Sequence, residues 1–202
     1  MNIVPLTREQ WLNECADLIM NEIIHPVWIV RDSMSIKVSV GYAPNTKAGS
    51  KTIGVCLSSA CSANGYNEIF ISPVINDSLQ VLGTLAHELI HAVDDCKNGH
   101  KGPFVNLMHK IGLEGKPTAT VPSKALADHL AQFVDLLGPI PHAKVDLSTQ
   151  KRQQNRNIKV QCSDESCGFK FNTSRAQINY VLELHGEVIC PACGHAMDCP
   201  EL

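Results

Sequence analysis

The strongest constraint in this sequence is a helical run that is apolar almost throughout yet carries two histidines and a glutamate. Leu79, Leu82, Leu85, Ala86, Leu89, Ile90 and Val93 recur at helical spacing and form a broad face that demands burial. Asp77 or Ser78 can cap the start, and Asn98-Gly99 supplies a stop. In the middle stands His87-Glu88-Leu89-Ile90-His91, which puts two imidazoles one turn apart on the same side of the helix. That spacing suits a shared metal ion. Glu88, rotated by about 100° around the axis, can reach a water beside the ion without being a ligand.

A catalytic zinc keeps three protein ligands and leaves its fourth position to water, so a third ligand is expected beyond this helix. His100 is the best candidate, because Asn98-Gly99 lets the chain turn back and Gly102-Pro103 directs it into a following helix. Asp94 and Asp95 are the alternatives. They sit on the same helix as the histidines, and one continuous helix rarely surrounds a tetrahedral site unaided. The plainer reading of His87 and His91 is a pair of hydrogen-bonded histidines on a buried helix, which leaves Glu88 and His100 without a role.

At 202 residues the chain can bury one good core plus a small appended module. With 44% hydrophobic and 18% charged residues it is expected to fold rather than remain disordered. No apolar run approaches the ~18 residues of a membrane span, and Met1 to Gln10 lacks a basic region followed by an apolar stretch. A cytoplasmic protein without a membrane partner is the expectation.

Before the histidine helix, Thr7 to about Ile24 reads as an amphipathic helix capped by Thr7. Ser35 to Val40, Ile53 to Leu57 and Glu68 to Ser72 read as short strands, the last ended by Pro73 and suited either to ordinary core sheet or to edge pairing with an extended substrate. Pro44, Asn45 and Gly49 mark the loop between the first two. After it, Pro103 and Ser123 open two further helices. Lys101, Tyr66 and His142 are candidates for stabilising an oxyanion, though no spacing supports them. The division expected is a first domain over 1–143, a basic polar linker over 144–157 and a small module over 158–202.

Nine cysteines in a chain without a secretory signal favour reduced thiols and metal binding over disulfides. Cys162-x4-Cys167 and Cys190-x2-Cys193 form two pairs at the spacing of a four-thiolate structural zinc site, each followed by a glycine, Gly168 and Gly194. His195 and Cys199 lie near enough to replace one ligand. Cys15, Cys56, Cys61 and Cys96 read as buried or incidental thiols. The net charge of -3 is unevenly spread, since residues 144–180 carry seven basic and three acidic side chains. Lys151, Arg152, Arg156, Lys159, Lys170 and Arg175 are therefore candidate nucleic-acid contacts, with Phe169, Phe171 and Tyr180 either stacking on bases or forming the module's own core.

These motifs together resemble the SprT-like metallopeptidases, the family that includes the crosslink protease Spartan. The resemblance rests on His87-Glu88-Leu89-Ile90-His91-Ala92, on Gly99-His100-Lys101-Gly102-Pro103-Phe104 and on the C-terminal cysteine pairs. It spans about residues 7–143 and 158–199. Ile53 to Cys56, Asn67 to Pro73 and Gly112 to Lys116 look like the small bacterial and phage-encoded members. The resemblance implies an α+β fold, a zincin-like domain of helices packed on a small sheet followed by a zinc ribbon. It implies zinc at His87, His91 and His100, Glu88 as catalyst, and a protein or peptide substrate that extends to proteins bound near DNA. Single-stranded DNA is then a candidate partner through linker and ribbon. The competing reading is a nucleic-acid-binding or transcription-associated ribbon adaptor without protease activity. A third is a zinc hydrolase acting on a non-peptide bond.

Overall fold

The computed structural model describes residues 6–32, 34–44, 46, 51–148 and 157–199. It is a mixed α and β protein with five α-helices and three small sheets among the described residues. The chain divides into two units, residues 1–150 and 151–202. The stretch 149–156, which contains Lys151, Arg152 and Arg156, lies outside the described residues, as do Asn45 and Gly49.

In the first unit, helix α1 (Arg8–Ile19) starts on a reciprocal cap. The Thr7 hydroxyl accepts from the Gln10 N–H at 3.2 Å while the Gln10 side chain accepts from the Thr7 N–H at 2.9 Å, so two otherwise unpaired donors are satisfied at once. The helix widens into a π turn (Met20–Ile24) and buries Trp11, Leu12, Cys15, Ala16 and Ile19. Strands β1 (Ile36–Val40), β2 (Gly54–Leu57) and β3 (Asn67–Ile71) form one sheet in the order β1-β3-β2. β3 pairs in parallel with β1 and antiparallel with β2. It is therefore the central strand with both edges occupied, which is the core-sheet role rather than the edge-pairing one. β1 is closed on its outer side as well, because Asn13 of α1 exchanges hydrogen bonds with the Val38 backbone at 2.9 and 3.1 Å.

Helix α2 (Ser78–Val93) runs beneath this sheet, with the Asp77 carboxylate accepting from the Gln80 N–H at its start. Leu82, Leu85, Leu89 and Ile90 are fully buried, each gaining roughly 1.5–3 kcal/mol from leaving water. The helix ends at Val93, earlier than the expected stop at Asn98-Gly99. Asp95 and Cys96 both take positive φ, 59° each, which ends the helical path. The cause is tertiary: the Asp95 carboxylate accepts from the Ser59 N–H at 2.8 Å, the Ser59 hydroxyl at 3.1 Å, Asn67 at 3.0 Å and Arg31 at 3.2 Å. These donors reward a conformation that no local rule favours.

The same donors, led by the Ser59 N–H, hold the Asp95 carboxyl down at about 2. A depressed folded-state pKa adds stability above the ordinary carboxylate value, near ~3.9, and that stability is lost as pH falls toward the folded value. The urea midpoint of the wild type is therefore expected to drop between about pH 4 and pH 2 by more than that of Asp95→Asn. Parallel pH profiles for the two proteins would show that the network contributes nothing.

Helix α3 (Pro103–Lys110) begins with proline at its first position, and helix α4 (Lys124–Leu137) with Ser123 accepting from Leu126 N–H, as the sequence predicts. Between them lies a hairpin that the sequence reading left unassigned, β4 (Leu113–Lys116) with β5 (Ala119–Pro122). Its signals are the two-residue Pro117-Thr118 turn and the β-branched Thr120 and Val121 that follow.

The second unit contains β6 (Asn157–Cys162), β7 (Lys170–Ser174), helix α5 (Arg175–His185) and β8 (Met197–Asp198), with strand order β7-β6-β8. Its buried core is Val160, Cys162, Ile178, Cys190 and Met197, with Phe169 and Phe171 packed against it. Two of those five are cysteines of the paired motif.

No helix among the described residues is long and apolar enough to cross a membrane.

Candidate metal centres and the cleft

His87 and His91 project from one face of α2, and the turn after that helix brings His100 to meet them. The His100 Nε2 lies 3.2 Å from the Nε2 of His87 and 3.2 Å from that of His91. Zinc–imidazole bonds of ~2.0 Å directed tetrahedrally would separate the nitrogens by about 3.3 Å, so the donor set fits such an ion closely. Burial is the main reason the His87 imidazole is pushed down to about 3 and that of His91 to about 4, with the neighbouring imidazoles adding to both. Their lone pairs are thus free of protons at neutral pH.

Phe104, from the first turn of α3, floors the three rings, stacking on His91 with centroids 4.4 Å apart. Asp94 and Asp95 do not join the group: Asp94 binds Asn98, and Asp95 serves the network described above.

The Nδ1 of His87 lies 2.9 Å from the Thr120 hydroxyl on β5. When Nε2 serves as a metal donor, Nδ1 carries the proton and its N–H donates a hydrogen bond to the Thr120 hydroxyl, which fixes the ring's orientation. Thr120→Val is expected to weaken metal binding by roughly 10- to 100-fold, read by competition against a chromogenic chelator. An unaltered affinity would mean that packing alone orients the ring.

Glu88 is buried, 5% exposed, beneath β2. Desolvation pushes its carboxyl up to about 8, opposed by a hydrogen bond from the Cys56 N–H. β2 passes this close because residue 54 is glycine; a Cβ there would lie 2.5 Å from the Glu88 Oε1 and 2.6 Å from the Thr84 methyl. Glu88 and the three histidines open onto a cavity of about 600 Å³ whose walls include β2, Cys96 and the Thr118–Thr120 segment. Lys101, Tyr66 and His142 are not among its lining residues: His142 bonds the Pro73 carbonyl, and Tyr66 carries Lys37 over its ring. Among the described residues the strand that borders the cavity from the edge of its sheet is β2, not β3, and at Cys56 that edge is taken by Glu88 on the N–H and by the Cys96 thiol on the carbonyl.

In the second unit the four paired cysteines converge, with all sulfurs within 4.8 Å of one another. Cys162 and Cys193 approach to 3.4 Å and Cys167 and Cys190 to 3.8 Å, against about 3.8 Å for a tetrahedral four-thiolate zinc site. Gly168 and Gly194 adopt φ of 64° and 79°, which allows each knuckle to turn tightly behind its cysteine. His195 stands outside the four, its Nδ1 3.4 Å from the Cys193 sulfur and 3.7 Å from Asp164, and Cys199 points at the Met197 carbonyl. Both sites could hold a metal ion, and both donor sets are compatible with zinc.

The described basic candidates are exposed. Lys159 and Lys170 share the solvent face of the β6–β7 pair, on which Lys159 opposes Asn172 and Gln161 opposes Lys170, while Arg175 opens α5. Phe169 and Phe171 belong to the module's core, whereas Tyr180 is 65% exposed. Cys56 and Cys96 are half-buried free thiols whose sulfurs lie 3.6 Å apart in the cavity wall. Comparison with family models, with curated proteins and with solved structures finds no match to this chain.

Proposed function

We propose that this chain is a zinc-dependent peptidase of the SprT-like type, with a zincin-like first unit and a zinc ribbon as its second. The observation that carries the reading is the meeting of three imidazole nitrogens with a buried glutamate at the floor of an open cleft. His87, His91 and His100 would hold the ion. A zinc ion bound there would supply Lewis acidity, polarising the scissile carbonyl and making a water more acidic. Glu88 takes the proton from the attacking water and returns it to the leaving amine. The Cys56 N–H holds the Glu88 carboxyl in place. Among the described residues β2 lies at the edge of its sheet, and it can pair with an extended peptide at positions other than Cys56, whose N–H and carbonyl already serve Glu88 and Cys96.

The substrate class extends to proteins held near single-stranded DNA. Support for this comes from the excess of basic residues over 144–180 and from Lys159 and Lys170 on one exposed face. The test is cleavage of an unfolded protein and of a single-strand-binding protein, each with and without DNA and with and without a chelator. Chelator-sensitive cleavage stimulated by DNA is the expected result. DNA binding with no cleavage under any condition would favour the adaptor reading instead.

A further inference from the structure

Cys56, on β2, and Cys96, in the turn that follows α2, are forty residues apart in sequence, yet their sulfurs lie 3.6 Å from each other. Both side chains line the cleft that holds Glu88 and the three histidines. A disulfide needs the sulfurs about 2.05 Å apart, so side-chain rotation with an approach of about 1.5 Å would join them.

The backbone at Cys96 is the second observation. Its φ of 59° lies in the left-handed region, where glycine is free of steric cost and a residue with a Cβ is not. The sequence carries a thiol at a position whose backbone favours glycine. Neighbouring bonds fix the position: the Cys96 N–H donates to the His91 carbonyl at 2.8 Å, and Asp95 is tied to Ser59, Asn67 and Arg31. Cys56 is equally fixed, because it pairs with Ile69 in the sheet and its N–H holds the Glu88 carboxylate. Two thiols held this way meet at high effective concentration in the folded protein.

We propose that Cys56 and Cys96 form a reversible disulfide, a redox-modification site in the cleft wall whose oxidant is a hydroperoxide. One sulfur attacks a peroxide oxygen, the O–O bond breaks, and a sulfenic acid and one water result. The second sulfur then attacks the first, the S–S bond forms, and the hydroxyl departs as a second water. Two electrons pass from the thiols to hydrogen peroxide, and the two thiol protons end in water. The new bond ties the strand that orients Glu88 to the turn that leads from His91 to His100. Resting on the peptidase reading, the consequence is a cleft whose hydrolysis falls on oxidation and returns on reduction.

The experiment uses the full chain purified with zinc and exposed to a modest excess of hydrogen peroxide. Free thiols are then alkylated and the protein is digested and mapped by mass. The expected product is a peptide pair joined through Cys56 and Cys96, lost on treatment with a thiol reductant and missing from Cys96→Gly. That variant suits the backbone, and circular dichroism verifies that it folds. Separate alkylation or sulfinic oxidation of the two cysteines without a linked peptide would overturn the proposal, as would a link from Cys56 to the exposed Cys61. Peptide hydrolysis is the second reading, with roughly tenfold loss expected in the linked protein and recovery with reductant. Unchanged hydrolysis in a linked protein would overturn its effect on the cleft. If the reduced protein hydrolyses nothing, the peptidase reading fails while the mass map still decides whether the link forms.

Discussion

Replacing Glu88 by glutamine is expected to lower peptide hydrolysis by roughly 10²- to 10⁴-fold while leaving the fold and metal content intact. Glutamine preserves the shape of the side chain, so the packing beneath β2 and Gly54 is kept. The three nitrogens that could hold the ion belong to His87, His91 and His100, and none of them depends on Glu88 for a hydrogen bond. What glutamine cannot do is accept and return a proton. Metal analysis and a thermal scan alongside the rate measurement separate loss of chemistry from loss of structure. If Glu88→Gln hydrolysed peptides as fast as the wild type, the proposed role of the carboxylate would be wrong. A reading in which the three-histidine group is structural expects no activity in either protein.

Metal removal should have an equally large effect on the second unit. Its buried residues are few, and Cys162 and Cys190 are two of them, so little apolar core remains to offset the conformational entropy of ordering β6 to β8 and α5. In small modules of this kind structural zinc supplies roughly 10–16 kcal/mol of apparent folding free energy. Cys190→Ser, or a strong chelator, is expected to remove amide protection from 157–199 and abolish the α5 helical signal. The first unit has a large core of its own, built on α1, α2, α3 and α4, and should keep its protection after Cys190→Ser. A metal-free second unit with native-like exchange would show that Val160, Ile178 and the two phenylalanines are sufficient alone.

The elements read most accurately from residue order are those whose cause is local. Thr7 with Gln10, Asp77, Pro103 and Ser123 mark helix starts because a cap acts within one turn. The alignment of His87 with His91 follows from the helical repeat, and the glycines behind Cys167 and Cys193 follow from the tight turn each knuckle makes. His100 was accessible for a related reason, since the turn that returns the chain to the helix face is only a few residues long.

Contacts between distant segments escaped the sequence because no periodicity encodes them. β3 alternates buried and half-buried residues whether it is an edge or a centre, so only the pairing with β1 and β2 reveals that β2 borders the cleft. α2 ends at Val93 because Ser59, Asn67 and Arg31 converge on Asp95 from elsewhere in the chain. Thr120 reaches His87 across 33 residues, and Cys96 reaches Cys56 across 40. Local spacing thus specified which side chains could share an ion, through forces that act over one helical turn. Long-range packing chose their outer partners, their solvent access and the strand beside them, because those depend on surfaces that meet only once the core has closed.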